Sequence, residues 1–421
     1  MAFGEANLWS TIYVTNGSPG FPDLLQLWLT NSGSRSLKLV FRDGPDYIER
    51  DGDVVVAMLH LAAAHSHRWS TFKVRLRSLR LPGKGVYDAL KNVETPNLIG
   101  LAYSFNWNPD VVLEGGSSFH DLFMETCKRL VKQSLRLREM QMWSTMDHDL
   151  DFLSAIPFPR LSVMTLPVVY ILEHSRFLAN LSHCACLRTL TISLAGNQPQ
   201  SSPHYALAIP SLRNLNVIGF STAHVNTFLR VFHLPSLQHL SVHTNSLFLP
   251  GSPLALVEVL DHWQPTLLSL ELRDEQSSRL DLFFSSWARH PAVQSLIYLR
   301  VGGLHSANIF PTLTLGSPGP SLMPQLQRIH AETVHLGYEC GGLTMMALSR
   351  SNPWSGLRLS VEADFLLEEE LVRETEFWDK CGDDRLRKVD RRFRWIGAGE
   401  RKLEREFMFQ DFSMIQGRPS Y

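Results

Sequence analysis

The chain has 421 residues, a formal net charge of −1 at pH 7, 44% hydrophobic residues and 19% charged residues. This balance is typical of an ordered soluble protein, and it gives no electrostatic reason to expect nucleic acid as the main partner. The longest apolar run, Val54–Ala64, is shorter than the roughly 20 residues that cross a bilayer, so we expect no membrane association.

The first part of the chain alternates between segments with the apolar spacing of helices and segments with that of strands. In chain order the predicted elements are an apolar entry over Leu8–Val14, a helix over Leu24–Leu29, a strand over Ser36–Phe41, a helix over residues 53–69, a strand over Phe72–Leu76 and a helix over about 117–133.

One short phrase recurs along the chain: leucine, two residues, an apolar residue, one residue and another apolar residue. Clear copies begin at Leu187, Leu212, Leu237, Leu267 and Leu296, and looser copies begin at Leu98, Leu161 and Leu326. From Leu161 to Leu326 successive copies start 25–30 residues apart. This interval lies at or just above the period of about 20–29 residues that leucine-rich repeats show.

The phrase and the segments between its copies predict the fold class. The last two apolar positions of each phrase are two residues apart, so they point to the same face of a short strand. Between phrases the spacing becomes helical, as in Val225–Phe232 and Leu256–Leu260. The pattern predicts an α/β leucine-rich-repeat solenoid, a horseshoe with parallel strands on its concave face and helices on its convex face. Prolines just before the predicted strands support this fold, because proline ends a preceding helix and favours an extended backbone. They are Pro96, Pro159, Pro210, Pro235, Pro265, Pro291 and Pro324.

The composition changes after Asp364. An acidic stretch that includes Glu368–Glu370 precedes a basic stretch from Arg385 to Arg394. Because the exposed end of a repeat array needs a polar cap, residues 365–421 are predicted to form a charged helical cap and tail. The alternative is that the basic stretch, which also contains aromatic residues, binds nucleic acid.

No motif for catalysis, phosphate binding or zinc binding is present, so we predict neither a catalytic residue nor a cofactor nor a metal. The nearest approach to a metal cluster is His183-Cys184-Ala-Cys186, which lacks a second ligand pair, and both cysteines are predicted to pack structurally. His65 and His67 are interpreted as caps of a helix end. The alternative function is an α/β enzyme, a hydrolase or transferase, whose repeats only imitate a solenoid.

The five cysteines, which include no CxxC pair, favour a reducing compartment. The first ten residues, MAFGEANLWS, lack the basic and apolar blocks of a signal peptide. Cytoplasm or nucleus is therefore the predicted location.

Outward strand positions are the predicted binding surface for an unknown protein ligand. Binding energy at interfaces concentrates in Trp, Tyr and Arg, so Tyr298, Arg300 and Arg328 are the predicted anchors. His239, His243 and His330 are also predicted to face outward. The alternative is a solvated face with no partner, because outward strand positions are polar in any solenoid. The twelve predicted residues are Thr189, Thr191, Asn214, Asn216, His239, Ser241, Ser269, Glu271, Tyr298, Arg300, Arg328 and His330.

A run of motifs near the N-terminus resembles the region that follows the F-box in the fungal family of F-box/leucine-rich-repeat proteins. The motifs are Leu8–Val14, Leu24–Leu29, Ser36–Phe41 and His67–Phe72, in that order, and the repeats from 98 to 361 resemble the family's repeat region. The resemblance implies a non-catalytic interaction scaffold, similar to the substrate-binding part of a ubiquitin-ligase receptor.

The resemblance also frames the domain organisation. Residues 1–45 are interpreted as an N-terminal cap remnant following a missing F-box, and residues 46–364 as irregular leucine-rich repeats. Family members bind the adaptor of a cullin-type ligase through the F-box, and only MAFGEAN precedes Leu8 here. We therefore expect adaptor binding only if an F-box is encoded upstream.

Overall fold

The computed structural model describes most of the chain up to residue 350 and two short segments beyond it. The described residues are 6–15, 20–42, 52–76, 83–105, 119–142, 155–169, 175–194, 207–219, 222–244, 255–274, 284, 287–302, 309–315, 322–334, 346, 349–350, 360–366 and 391–396.

The chain divides into two compact units. The first comprises Met1–Val169 and Ala179–Leu187, and the second comprises Tyr170–Leu178 and Arg188–Tyr421. Within each unit the long strands pair in parallel, and a described helix lies between four of the five successive pairs in the first unit and three of the seven in the second. Parallel neighbours need such a crossover connection, so the alternation in the sequence and the pairing in space have the same cause. The chain is therefore a mixed α/β protein.

In the first unit, six strands pair in the order in which they occur along the chain. The strands are β1 (Thr11–Thr15), β2 (Leu37–Arg42), β3 (Trp69–Leu76), β4 (Gly100–Phe105), β5 (Glu139–Met142) and β6 (Val163–Val169). Four helices connect β1 to β5, namely α1 (Phe21–Asn31), α2 (Gly52–Ala63), α3 (Gly83–Leu90) and α4 (Phe119–Gln133).

The elements predicted in this unit are present with shifted ends. The helix over Leu24–Leu29 and the strand over Ser36–Phe41 are confirmed as α1 and β2. The helix predicted over residues 53–69 ends at Ala63, because a short 3-10 helix then leads into β3. The apolar entry over Leu8–Val14 contains strand β1, which the sequence analysis did not assign.

The turn between α2 and β3 is held by a buried arginine. The guanidinium of Arg68 donates from Nε to the carbonyl of Arg35 at 2.9 Å and from Nη2 to the hydroxyl of Ser32 at 2.6 Å. Nη1 lies 3.4 Å from Nδ1 of His65, so the side chain of this histidine contacts the arginine, while its backbone N–H donates to the carbonyl of Ala62 at the end of α2. Burial, followed by the charges of Arg68 and His67, lowers the pKa of His65.

In the second unit, eight strands pair in chain order, all in parallel. Two two-residue strands, β8 and β10, form a separate parallel pair. The strands are β7 (Thr189–Leu194), β8 (Leu207–Ala208), β9 (Asn214–Gly219), β10 (Phe232–His233), β11 (His239–Thr244), β12 (Ser269–Asp274), β13 (Tyr298–Gly302), β14 (Arg328–Val334), β15 (Ser360–Leu366) and β16 (Arg391–Ile396). The helices are α6 (Thr222–Val231), α7 (Leu256–Trp263) and α8 (Ile309–Leu313), while α5 (Ser175–Ser182) contains the boundary between the units.

The core of the second unit is a ladder of aliphatic side chains. Leu215, Leu240, Leu270 and Leu299 occupy matching positions on four neighbouring strands. None of them exposes more than 2% of its surface. The predicted ladder is confirmed, and its regularity follows from the phrase, which puts a leucine at the same place in every strand.

The C-terminal prediction was wrong where it can be compared with the structure. Residues 365–421 were assigned to a helical cap and tail, but β15 continues to Leu366 and residues 391–396 form β16, which pairs in parallel with β15. Basic and apolar residues alternate from Arg392 to Trp395, and this is a strand pattern that the high charge obscured. The remaining residues of the predicted cap lie outside the described part.

No helix in the described ranges is both long enough and apolar enough to cross a membrane.

Candidate functional site

The twelve predicted surface residues lie in two rows across six neighbouring strands of the second unit. Strand pairing brings each residue beside its counterpart on the next strand, from β7 through β9, β11, β12 and β13 to β14. The first row is Thr189, Asn214, His239, Ser269, Tyr298 and Arg328, and the second row is Thr191, Asn216, Ser241, Glu271, Arg300 and His330. We call these residues the two-row surface.

Burial separates the two-row surface from the core. Along β9 and at the start of β7, half-exposed polar residues alternate with buried aliphatic ones. Eleven of the twelve residues are exposed or half-exposed, and Ser269 is the exception at 9% exposure. Ser269 lies between His239 and Tyr298 in the register, so a small side chain is flanked by two large ones.

The two ends of the surface differ in chemistry. At the β7 end, Asn214 donates from Nδ2 to the hydroxyl of Thr189 at 3.0 Å, which fixes two small polar groups on neighbouring strands. At the β14 end, the guanidinium carbon of Arg328 lies 5.4 Å from the centroid of the Tyr298 ring. A cation over an aromatic face stabilises both side chains by about 0.5–1 kcal/mol at an exposed site. The contact therefore favours this arrangement of the Tyr298 and Arg328 side chains.

The second row contains an acidic residue beside basic ones at its β14 end. Glu271 on β12 is paired in register with Arg300 on β13, and His330 follows on β14. The register continues beyond the prediction, with Glu362 on β15 beside His330 and Arg392 on β16 beside Glu362. Since neighbouring strands are about 4.8 Å apart, the opposite charges of Glu271 and Arg300 attract one another.

Two arginines that were not predicted border the two-row surface. Arg188 and Arg213 are exposed and immediately precede β7 and β9, and the backbone N–H of Arg213 donates to the carbonyl of Arg188 at 2.9 Å. The sequence contained the signal, because both arginines occupy the same place in the repeated phrase, directly after its first leucine.

One of the three histidines predicted to face outward is buried. His243 exposes 8% of its surface, whereas His239 is exposed and His330 is half-exposed. The burial pattern of β11 changes from alternating to continuous at Val242, His243 and Thr244. The period of two therefore does not extend to the carboxyl end of this strand.

The cysteine pair behaves as one buried and one exposed thiol. Cys184 is 2% exposed and its Sγ lies 3.7 Å from the carbonyl oxygen of Asn180, which agrees with the predicted packing. Cys186 is exposed, so the predicted packing was wrong for this residue. Among the described residues, no group of three His, Cys, Asp or Glu side chains could hold a metal ion.

We expect native alkylation with iodoacetamide to modify Cys186 and to spare Cys184. Burial, with a smaller effect of Cys186, raises the pKa of the Cys184 thiol to about 12, and a neutral, buried thiol is a poor nucleophile. Both cysteines lie in the tryptic peptide from Phe177 to Arg188, so fragment masses locate the label. Denaturation should expose both sites, and a Cys186→Ser variant should leave the native peptide unlabelled. Equal native labelling of the two thiols would contradict the burial of Cys184.

No protein-family model matches the chain, and no curated protein matches its sequence. The kinship with F-box/leucine-rich-repeat proteins therefore stays a prediction that depends on the N-terminal motifs and the repeats.

Proposed function

We propose that this chain is a non-catalytic protein-interaction protein that holds a protein partner on the two-row surface. The observation that carries the proposal is the unbroken register from β7 to β14, which aligns the twelve side chains. Rigid strands that present polar and aromatic groups in continuous rows provide a preorganised binding surface, because few groups must be ordered when the partner binds.

We further propose that the chain is a leucine-rich-repeat solenoid, a horseshoe whose strands line the concave face. The repeated phrase supports this proposal, because the first leucine of each clear copy is fully buried, at Leu187, Leu212, Leu237, Leu267 and Leu296. Each unit of strand and connection has two apolar faces, and stacking the units buries both. On a concave face the two rows would curve around a partner and contact it from several strands at once.

The resemblance to F-box proteins extends the proposal to a biological role. We propose that the partner is a substrate of a cullin-type ubiquitin ligase, and that this chain corresponds to the substrate-binding part of the receptor. The order of the motifs from Leu8 to Phe72 and the repeats that follow them support this role.

Replacing Tyr298 and Arg300 together by alanine is expected to weaken partner binding about tenfold or more. The ring and the guanidinium stand on the same strand, two residues apart, and Tyr298 is the aromatic residue of the two rows. The partner is first identified by proximity labelling, and the affinities are then measured by isothermal titration calorimetry with purified proteins. The melting temperature should stay nearly unchanged, because both side chains are half-exposed.

The matched control is Arg230→Ala on α6. Arg230 is 51% exposed and forms an ion pair with Glu258 at 2.6 Å, so the substitution removes an arginine from the helical side of the same unit. We expect this variant to bind the partner as the unmodified chain does. If the double variant bound the partner as tightly as the control does, the two-row surface would not be the binding site.

A further inference from the structure

Four neighbouring strands of the first unit contain basic residues and no acidic residue. Strands β1 to β4 contain Lys38, Arg42, Lys73 and Arg75 but neither aspartate nor glutamate. Four neighbouring strands without an acidic residue differ from the second row of the second unit, where Glu271 lies beside Arg300.

The exposed residues of these strands surround Val40. Strand pairing puts Tyr13 on β1 and Lys73 on β3 directly beside Val40 on β2, at roughly 5 Å on either side. Lys38 precedes Val40 by two residues on the same strand, roughly 7 Å away on the same face. Tyr13 is 58% exposed, Lys38 is exposed, and Val40 and Lys73 are half-exposed. We call these four residues the Val40 patch.

The positive charge of the patch is not neutralised by its described surroundings. Within the described ranges, no carboxylate lies at ion-pair distance from Lys38 or Lys73. The acidic residue in the row of Lys38 is Glu139 on β5, and its Cα lies three strands, or roughly 14 Å, from the Cα of Lys38. Glu139 leans towards β4, where its Oε2 lies 3.5 Å from the position that a Cβ on Gly100 would take.

We propose that the Val40 patch binds an extended acidic peptide segment in which an apolar side chain is flanked by carboxylates. The apolar side chain would cover Val40 and the ring of Tyr13, and the carboxylates would reach the two amines. In an extended peptide, side chains two residues apart point to the same side and lie roughly 7 Å apart, so the apolar side chain and the carboxylates that face the patch occupy alternate positions. The two lysines favour an acidic peptide because the charges are complementary. The apolar Val40 between them disfavours a polymer that is charged at every position.

The test uses the full chain and a fluorescein-labelled peptide with the repeating sequence Glu-Gly-Leu-Gly, in which Glu and Leu face the same side of an extended chain, in a fluorescence polarisation titration. We expect saturable binding that weakens as salt is added, because exposed charge pairs are screened. A matched peptide with glutamine in place of glutamate should bind about tenfold more weakly or not at all. Lys38→Gln/Lys73→Gln should weaken binding of the acidic peptide by a similar factor, and Val40→Ser should also weaken it.

The control variant is Lys132→Gln, which removes an exposed lysine from α4 of the same unit and should leave the affinity unchanged. Equal losses for this variant and for the patch variants would overturn the proposal, because binding would then follow net charge alone. Binding of single-stranded oligothymidine or of phosphatidylserine vesicles at least as tight as that of the peptide would also overturn it. Because the patch belongs to the first unit, this outcome is independent of the Tyr298/Arg300 test.

Discussion

Replacing Leu240 by alanine is expected to lower the free energy of unfolding by about 2–5 kcal/mol. Leu240 is 1% exposed and lies in the middle of the ladder, with Leu215 on one side and Leu270 on the other. The alanine loses the transfer free energy of the removed methyl groups and leaves a cavity, which neighbouring strands held in register cannot easily close. The measurement is the midpoint of urea denaturation, followed by circular dichroism.

Thr191→Ala is the matched control for the ladder prediction. Thr191 lies on β7 beside Asn216 and is half-exposed on the polar face, so truncating it removes little buried surface. We expect a cost of less than about 1 kcal/mol. Equal denaturation midpoints for Leu240→Ala and Thr191→Ala would refute the assignment of the two strand faces.

Replacing Arg350 by methionine is expected to cost about 3 kcal/mol or more, because three carbonyl groups lose a charged donor. Arg350 is 4% exposed and donates to Leu313 at 2.8 Å from Nε, to Met323 at 2.8 Å from Nη1 and to Leu322 at 2.7 Å from Nη2. Burial lowers its pKa to about 10, so the guanidinium still carries its charge at neutral pH. Methionine fills a similar volume but satisfies none of these acceptors.

The backbone at Met323 makes this arginine more important. Met323 has a φ of 48°, a left-handed backbone conformation that residues other than glycine rarely adopt. Its N–H donates to Oε1 of Gln294 at 3.0 Å and its carbonyl accepts from Arg350, so both sides of the turn are held by side chains. Removing the guanidinium releases one of the two groups that hold the turn in this conformation.

Two variants test the Arg350 prediction by urea denaturation. Arg350→Lys keeps the charge but lacks the planar fork, so it should recover only part of the loss. Arg230→Met replaces an exposed arginine whose ion pair is worth well under about 1 kcal/mol, and its midpoint should hardly move. If Arg350→Met were as stable as Arg230→Met, the three carbonyl groups would not depend on this arginine.

Much of the strand arrangement could be predicted from local pattern. Leu215, Leu240, Leu270 and Leu299 recur at the same place in each phrase, and the period of two put Thr191 and Arg300 on the opposite face. Both inferences depend only on residues within a few positions of one another. The parallel pairing followed because the segments between phrases have helical spacing and are long enough to cross over.

Other features depended on neighbours that are distant in the sequence. Ser269 is buried between His239 and Tyr298, residues that lie 30 and 29 positions away along the chain. In the sequence Arg68 has no feature that distinguishes it from other charged residues. In the fold its guanidinium donates to the hydroxyl of Ser32 and to the carbonyl of Arg35.

The sequence by itself determined which face of each strand is apolar, because the alternation of side chains is a property of a single strand. The tertiary structure decided which polar residues are buried: His243 is buried, whereas Cys186 is exposed. It also decided that the charged segment Arg391–Ile396 forms β16, because pairing with β15 satisfies backbone groups that a sequence pattern does not represent. The burial of a polar side chain and the pairing of a charged strand both depend on which neighbours the fold brings beside them.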